Sequence, residues 1–247
     1  MRYFVECAFL GTNYVGWQKQ PNGTSVQSVI EEKMSTFLRS DIEVTGCGRT
    51  DAGVHAPYYV FHCDHDDLPD DLLFRLNQML PEDIALRSVR QVSEDAHARY
   101  AAIERSYQYA LTFIKDPFHL QTRCYYPQGN KLDFDLLDQA CALLKEYQAF
   151  KPLCKTGSDT PHYLCDLREA RWERSDDGAT FTIIANRFLR GMVRLVVGMM
   201  LNVGRGQLSW EEVKTALDTQ EPLPRADSAA AHGLHLTRVR YPDGIYA

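Results

Sequence analysis

Apolar residues recur at period two in some stretches of this chain and at helical spacing in others. Residues 2–9 carry the aromatic and β-branched residues that strands favour and read as a strand. Thr24-Ser25-Val26-Gln27 has the form of a capping box. After it Val26, Val29, Ile30, Met34, Phe37 and Leu38 keep helical spacing, which predicts a helix over 25–39 with one buried face. Strands are expected at 42–47 and 57–63, a helix at 68–79 and a strand at 84–92. A long strand follows at 103–114, with Tyr107 and Tyr109 on one face and Gln108 on the other. Asp133 is the expected N-cap of a helix over 134–147. Strands at 165–174 and 180–186 flank the turn Ser175-Asp176-Asp177-Gly178. A long helix at 187–203 comes next, then a shorter one at 210–218 opened by Ser209-x-x-Glu212, and a last strand at 234–241.

Strands and helices alternate in mixed order on both sides of the turn Gln128-Gly129-Asn130-Lys131. The expected fold is α+β, with two halves, 1–114 and 115–247, joined through 115–132. Each half is expected to be a mostly antiparallel sheet backed by helices, with the site in a central cleft.

Composition changes the picture only in places. The chain has 247 residues, 45% of them hydrophobic and 24% charged, which excludes disordered, collagen-like and coiled-coil chains. The net charge of −6 argues against a protein that coats nucleic acid by charge alone. No apolar run follows a basic start, so no secretory signal is expected. The stretch 188–201 holds two arginines and is too short to span a bilayer. A cytoplasmic location without membrane association is the expectation. The seven cysteines form no Cys-x-x-Cys pair, so neither a disulfide framework nor a zinc ribbon is favoured. Cys154, His162 and Cys165 lack a partner pair at finger spacing, and the acidic run 64–71 reads as surface dipole compensation at a helix start. No metal is expected at either place.

Three segments carry candidate chemistry. Gly46, Gly48 and Gly53 surround Arg49 and Asp51 on one loop. A connecting loop with an Asx-turn is one reading of it. A phosphate cradle is weaker, because the spacing fits neither Gly-x-Gly-x-x-Gly nor a P-loop. The third reading is a catalytic carboxylate on a rigid strand-end loop, kept ionised by nearby arginines. The second segment is the long helix. At about 100° per residue, Arg187, Arg190, Arg194 and Arg205 fall within about 60° of one line, along with Gly191 and Gly198. Phe188, Met192, Leu195, Val196 and Met199 lie opposite. An amphipathic helix with an arginine and glycine face is expected, and Asp51 is the obvious partner for a buried arginine on it. The third segment interleaves cations and tyrosines: His97-Ala98-Arg99-Tyr100 and Arg105-Ser106-Tyr107-Gln108-Tyr109. Such interleaving suits packing in a strand, and it also suits stacking and clamping of unpaired bases.

On these residues the chain resembles the A family of tRNA pseudouridine synthases, which modify the anticodon stem-loop. Gly48-Arg49-Thr50-Asp51-Ala52-Gly53-Val54-His55 matches that family's signature. Gly16-Trp17-Gln18, Ser25-Val26-Gln27, Asn77 with Leu80-Pro81, Met192-Val193-Arg194, and Gly233-Leu234 with Tyr241-Pro242 agree in order. Phe9-Leu10-Gly11 replaces the usual Tyr-Asp-Gly, and 150–164 departs from the family pattern. The resemblance implies isomerisation of uridines at tRNA positions 38–40 in a homodimer, with no cofactor and no metal. It makes Asp51 the catalytic carboxylate, Arg194 its partner and Tyr107 the residue that stacks on the uracil. Arg49 then fills the space left by the flipped base, and His55, Arg99, Arg105, Arg187 and Arg190 join it and Tyr107 as substrate contacts. Attack at C1′, addition at C6 and abstraction of a sugar proton are three routes open to such a carboxylate. The rivals are a non-catalytic protein that binds structured RNA through the same basic segments, and a metal- or nucleotide-dependent phosphate enzyme.

Overall fold

The computed structural model describes residues 1–157 and 160–246. Residues 158 and 159 of the divergent segment 150–164 therefore lie outside the described residues. The elements run β1 (Arg2–Phe9), α1 (Val26–Leu38), β2 (Thr45–Gly46), β3 (Ala56–Asp64), α2 (Leu72–Met79), β4 (Ile84–Val92) and β5 (Glu104–Thr112). They continue with β6 (Cys124–Tyr125), α3 (Phe134–Leu144), β7 (Leu167–Arg174), β8 (Gly178–Ala185), α4 (Met192–Gly204), α5 (Trp210–Thr219) and β9 (Leu234–Arg240). The fold is α+β, as expected. The chain divides into two compact units, residues 1–105 with 235–247, and residues 106–234.

The first unit is built on a four-stranded sheet in the order β2-β3-β1-β4. β1 is its buried centre, antiparallel to both neighbours, with Val5 opposite Phe61 on one side and Val89 on the other. Phe4, Val5, Cys7 and Phe9 are buried there. α1 buries Val26, Ile30 and Met34, the stripe its spacing predicts, and also Glu31. Its cap differs from the expectation by one residue. Ser25 is the N-cap and closes a box with Ser28, while the Gln27 side chain donates to the Val44 carbonyl at 2.9 Å. The strand expected over 42–47 shrinks to Thr45–Gly46 because its ladder donors go elsewhere. The Ile42 amide donates to Ser35 Oγ and the Val44 amide to Glu31 Oε1, both at 2.9 Å. α2 begins at Leu72, so the acidic run precedes it instead of filling its first turn. Asp71 pairs with Arg75 at 2.6 Å and Asp64 with Arg2 at 2.7 Å. Asn77 on α2 holds β4 by a reciprocal pair of hydrogen bonds to the Leu86 main chain, at 2.9 and 2.8 Å. The C-terminal segment returns to this unit, where the Leu236 amide donates to the His55 carbonyl at 3.0 Å and the Ile103 amide to that of Arg240 at 2.8 Å.

The second unit holds strands in the order β6-β5-β8-β7. β7 and β8 are antiparallel, with Trp172 opposite Phe181, while the short β6 runs parallel to β5. Asp133 caps α3 as expected, accepting from the Asp135 and Leu136 amides at 3.0 and 3.1 Å. Ser209 and Glu212 form the expected box on α5, at 3.1 and 2.8 Å.

α4 corrects the arginine-stripe expectation. It starts at Met192, five residues later than the periodicity predicts, because Gly191 stands at its N-cap with φ 68°. The Arg190 carbonyl meanwhile accepts from the Lys155 amide at 2.9 Å. Arg187 and Arg190 therefore sit on the lead-in to the helix, and Arg205 is its C-cap. Every residue of α4 except Arg194 is buried, so the helix is apolar nearly all round and not two-faced. Gly198 does serve close backbone approach, since a Cβ there would overlap the carbonyl of Asp227.

Candidate active site

The loop between β2 and β3 stands on an aromatic base in the first unit. Trp17 stacks on Tyr59 with ring centroids 4.0 Å apart and 26° between planes, and both rings are buried. A Cβ at Gly46 would overlap the Tyr59 hydroxyl and the Trp17 indole nitrogen, which is why the strand reaches the stack through glycine. The Tyr59 hydroxyl donates to the Gly48 carbonyl. The Trp17 amide donates to Thr50 Oγ1 at 3.0 Å. Beyond Asp51 the chain turns back, with the Val54 amide on the Asp51 carbonyl at 3.2 Å and the Gly53 amide on that of Tyr14 at 3.3 Å. The backbone on both sides of Asp51 is thus tied to buried groups. Asp51 itself is half-buried and Arg49 is exposed. The Arg49 Nε donates to the Gln18 side chain, which holds the guanidinium at the loop's rim.

His55 and Arg105 occupy different places from those expected of substrate contacts. His55 is 1% exposed; its Nδ1 accepts from the Gly11 amide at 2.9 Å, and its ring stacks on His235 at 5.0 Å. It pins the end of the loop. Arg105 is half-buried and donates to the carbonyls of Ala102, Cys47 and Arg99 at 3.0, 3.1 and 2.6 Å. It braces the start of the same loop. Arg99 is exposed, with its guanidinium 5.5 Å from the Tyr100 ring centroid. Burial pushes the neighbouring Cys47 thiol up to about 11, so it stays protonated near neutrality.

The remaining candidates lie in the second unit. Tyr107 on β5 is half-buried, and its ring meets Phe188 edge-on at 5.2 Å. Tyr109, two residues on, is wholly buried and donates to the Ala230 carbonyl at 2.9 Å, so it is a core residue. Arg194 Nε donates to the Ala229 carbonyl at 2.7 Å, and the Ala229 amide returns a bond to the Arg194 carbonyl at 3.0 Å. Arg187 reaches His162 at 3.0 Å and Thr160 Oγ1 at 3.4 Å, and Arg190 reaches the Gly157 carbonyl at 3.4 Å. These two arginines therefore engage the segment that departs from the family pattern.

Sequence reasoning missed Gln18, Thr50 and Tyr59 as supports of the loop. It also missed Glu31, whose signal was an acid next to Ile30 on an otherwise apolar stripe. Among the described residues no cluster of three His, Cys, Asp or Glu side chains stands ready for a metal. Among those same residues no helix is long and apolar enough to cross a membrane.

Fold and loop together define an α+β protein that presents a carboxylate on a braced glycine-rich turn. Comparison with known proteins narrows the class. The family model described as tRNA pseudouridine synthase matches residues 7–101 and 145–242. The tRNA pseudouridine synthase A of Bacteroides thetaiotaomicron is 44% identical over 251 residues, covering 100% of this chain and 93% of that protein. The proteins of the same name from Bacteroides fragilis and Porphyromonas gingivalis are 42% and 43% identical. Each alignment covers 99% of this chain, with 98% and 99% of the respective relatives. The chain belongs to the tRNA pseudouridine synthase family.

Proposed function

We propose that this protein isomerises uridines of the tRNA anticodon stem-loop to pseudouridine, and that Asp51 is the carboxylate that carries the reaction. The observation behind this reading is the loop itself: a half-buried aspartate on a backbone tied down on both sides, with an exposed arginine two residues before it. In the isomerisation the N1–C1′ bond breaks, the uracil turns and C5 bonds to C1′. The hydrogen at C5 leaves to solvent and N1 regains a proton, so the base changes attachment without change of formula. A carboxylate in fixed geometry suits this chemistry, because its position is set before the substrate arrives.

A uridine in a paired stem is reached by extrusion, at a cost of roughly a few kcal/mol. Arg49, exposed and held by Gln18, takes the place the base vacates. Tyr107 stacks on the uracil, and Arg194 acts with Asp51 in the same reaction. Arg99, Arg187 and Arg190 contact the RNA backbone. His55 and Arg105 serve as positioning residues for the loop. The protein works as a cytoplasmic homodimer and uses no cofactor.

Mapping pseudouridines in tRNA from cells with and without this protein tests the reading. Sites in the anticodon stem-loop should vanish on deletion and return with the wild-type chain, not with Asp51→Asn. An unchanged map would remove the assignment.

A further inference from the structure

Tyr100 is 75% exposed, yet the turn that carries it is held by a series of hydrogen bonds. The Ala96 carbonyl accepts from Arg2 at 3.1 Å and that of His97 from the Ala101 amide at 2.9 Å. The Ala98 carbonyl accepts from the buried Tyr241 hydroxyl at 2.7 Å, and that of Arg99 from Arg105 at 2.6 Å. Four successive carbonyls thus have fixed donors. The ring itself lies 4.4 Å from the His97 ring and carries the Arg99 guanidinium 5.5 Å from its centroid. Such an aromatic contributes little to the core, and its surroundings restrict it without covering it. Arg105 joins this turn to the glycine-rich loop, since the same guanidinium nitrogen that holds the Arg99 carbonyl donates to that of Cys47 at 3.1 Å.

We propose that Tyr100 is a stacking platform for a nucleobase of the bound RNA other than the uridine being isomerised, with Arg99 beside it for the adjoining phosphate. This rests on the reading of the protein as an enzyme that acts on RNA. A rigid exposed ring loses little freedom on binding, and stacking tolerates any base because every base has a π-face. The flanking cation selects a polyanion over an apolar peptide. Since Tyr100 lies on the turn and not on the loop with Asp51, its removal should weaken RNA binding while leaving the chemical step intact.

The test measures binding of the full-length protein to a fluorescein-labelled unmodified tRNA transcript, beside tritium release from C5-labelled tRNA. Tyr100→Ala and Tyr100→Leu should each raise Kd and KM about tenfold with kcat nearly unchanged, and Tyr100→Phe should stay within about twofold of wild type. Equal Tm values across the three variants are expected from the exposure of the side chain. Wild-type affinity in Tyr100→Ala, or recovery in Tyr100→Leu equal to that in Tyr100→Phe, would overturn the proposal. If the wild-type chain binds tRNA but releases no tritium, the proposed activity fails, while the contrast between Phe and Leu still decides the platform.

Discussion

His62 lies in the sheet at the heart of the first unit, 6% exposed, with its Nδ1 accepting from the Ala98 amide at 3.2 Å. Burial, then the charge of Arg2 and the nearby His97, lower its pKa to about 4. In the unfolded chain the value is about 6.5. Between those values the unfolded chain takes up a proton that the folded one refuses. Stability therefore falls as pH drops from about 6.5 to about 4, and this residue adds no further loss below that. His62→Gln should show a shallower acid dependence of its urea midpoint across that window; an unchanged slope would contradict the assignment. Glu31 supplies a second residue-scale prediction. Its carboxylate accepts from the Val44 amide and Gln27 and pairs with Lys19 at 2.6 Å. Glu31→Ala should cost about 1–3 kcal/mol in urea unfolding, because it orphans a buried amide, and Glu31→Gln should cost less. At this scale the residue types of the loop Gly48–His55 left three readings open, and only the match of the whole run to a family signature singled out one of them. The supports were not legible, since a Tyr59 hydroxyl aimed at a carbonyl leaves no trace in local pattern.

Among elements, those with side-chain signals at their ends were read closely. The box at Ser209 and Glu212 and the cap at Asp133 form as the spacing says. Ser209→Ala should lower stability by about 1 kcal/mol, measurable by denaturant melts. Periodicity misled where long-range contacts intervene. The repeat through 187–203 continues smoothly in sequence, but Gly191 in the left-handed region and the Lys155 bond to Arg190 delay α4 to Met192. The apolar residues ahead of that point pack without being helical, and Phe188 instead meets Tyr107. β2 was overextended for a matching reason, since α1 side chains take its amides. The junction of β2 with the loop gives a sharper test. Gly46→Ala puts a methyl into the Trp17–Tyr59 stack, and overpacking of this kind costs about 1–3 kcal/mol. Turnover should fall more than stability alone accounts for, because Tyr59 also holds Gly48.

For the whole molecule, the net charge of −6 is an average over unlike segments. Residues 64–71 carry five of the 33 acids, two of them, Asp64 and Asp71, already paired to arginines. From Gly178 to Trp210 there are four arginines and no acid. On the proposed function, such a segment binds one shaped polyanion while the acidic remainder repels others. Affinity for tRNA should fall as salt rises, and Arg99→Ala or Arg190→Ala should each make the slope of log K against log salt shallower by about one. An unchanged slope would remove that arginine from the phosphate contacts. The return of the C-terminal strand to the first unit is the feature of this scale that no local pattern encodes, because His55 and Leu236 meet only once the chain has folded. The claim that depends on all three scales is that Asp51 performs an isomerisation. Tritium release from tRNA labelled at uridine C5, compared between wild type and Asp51→Asn without added metal or nucleotide, tests it most directly. The wild-type chain should release tritium, and Asp51→Asn should release none while still binding tRNA; release at the wild-type rate by Asp51→Asn would contradict the account.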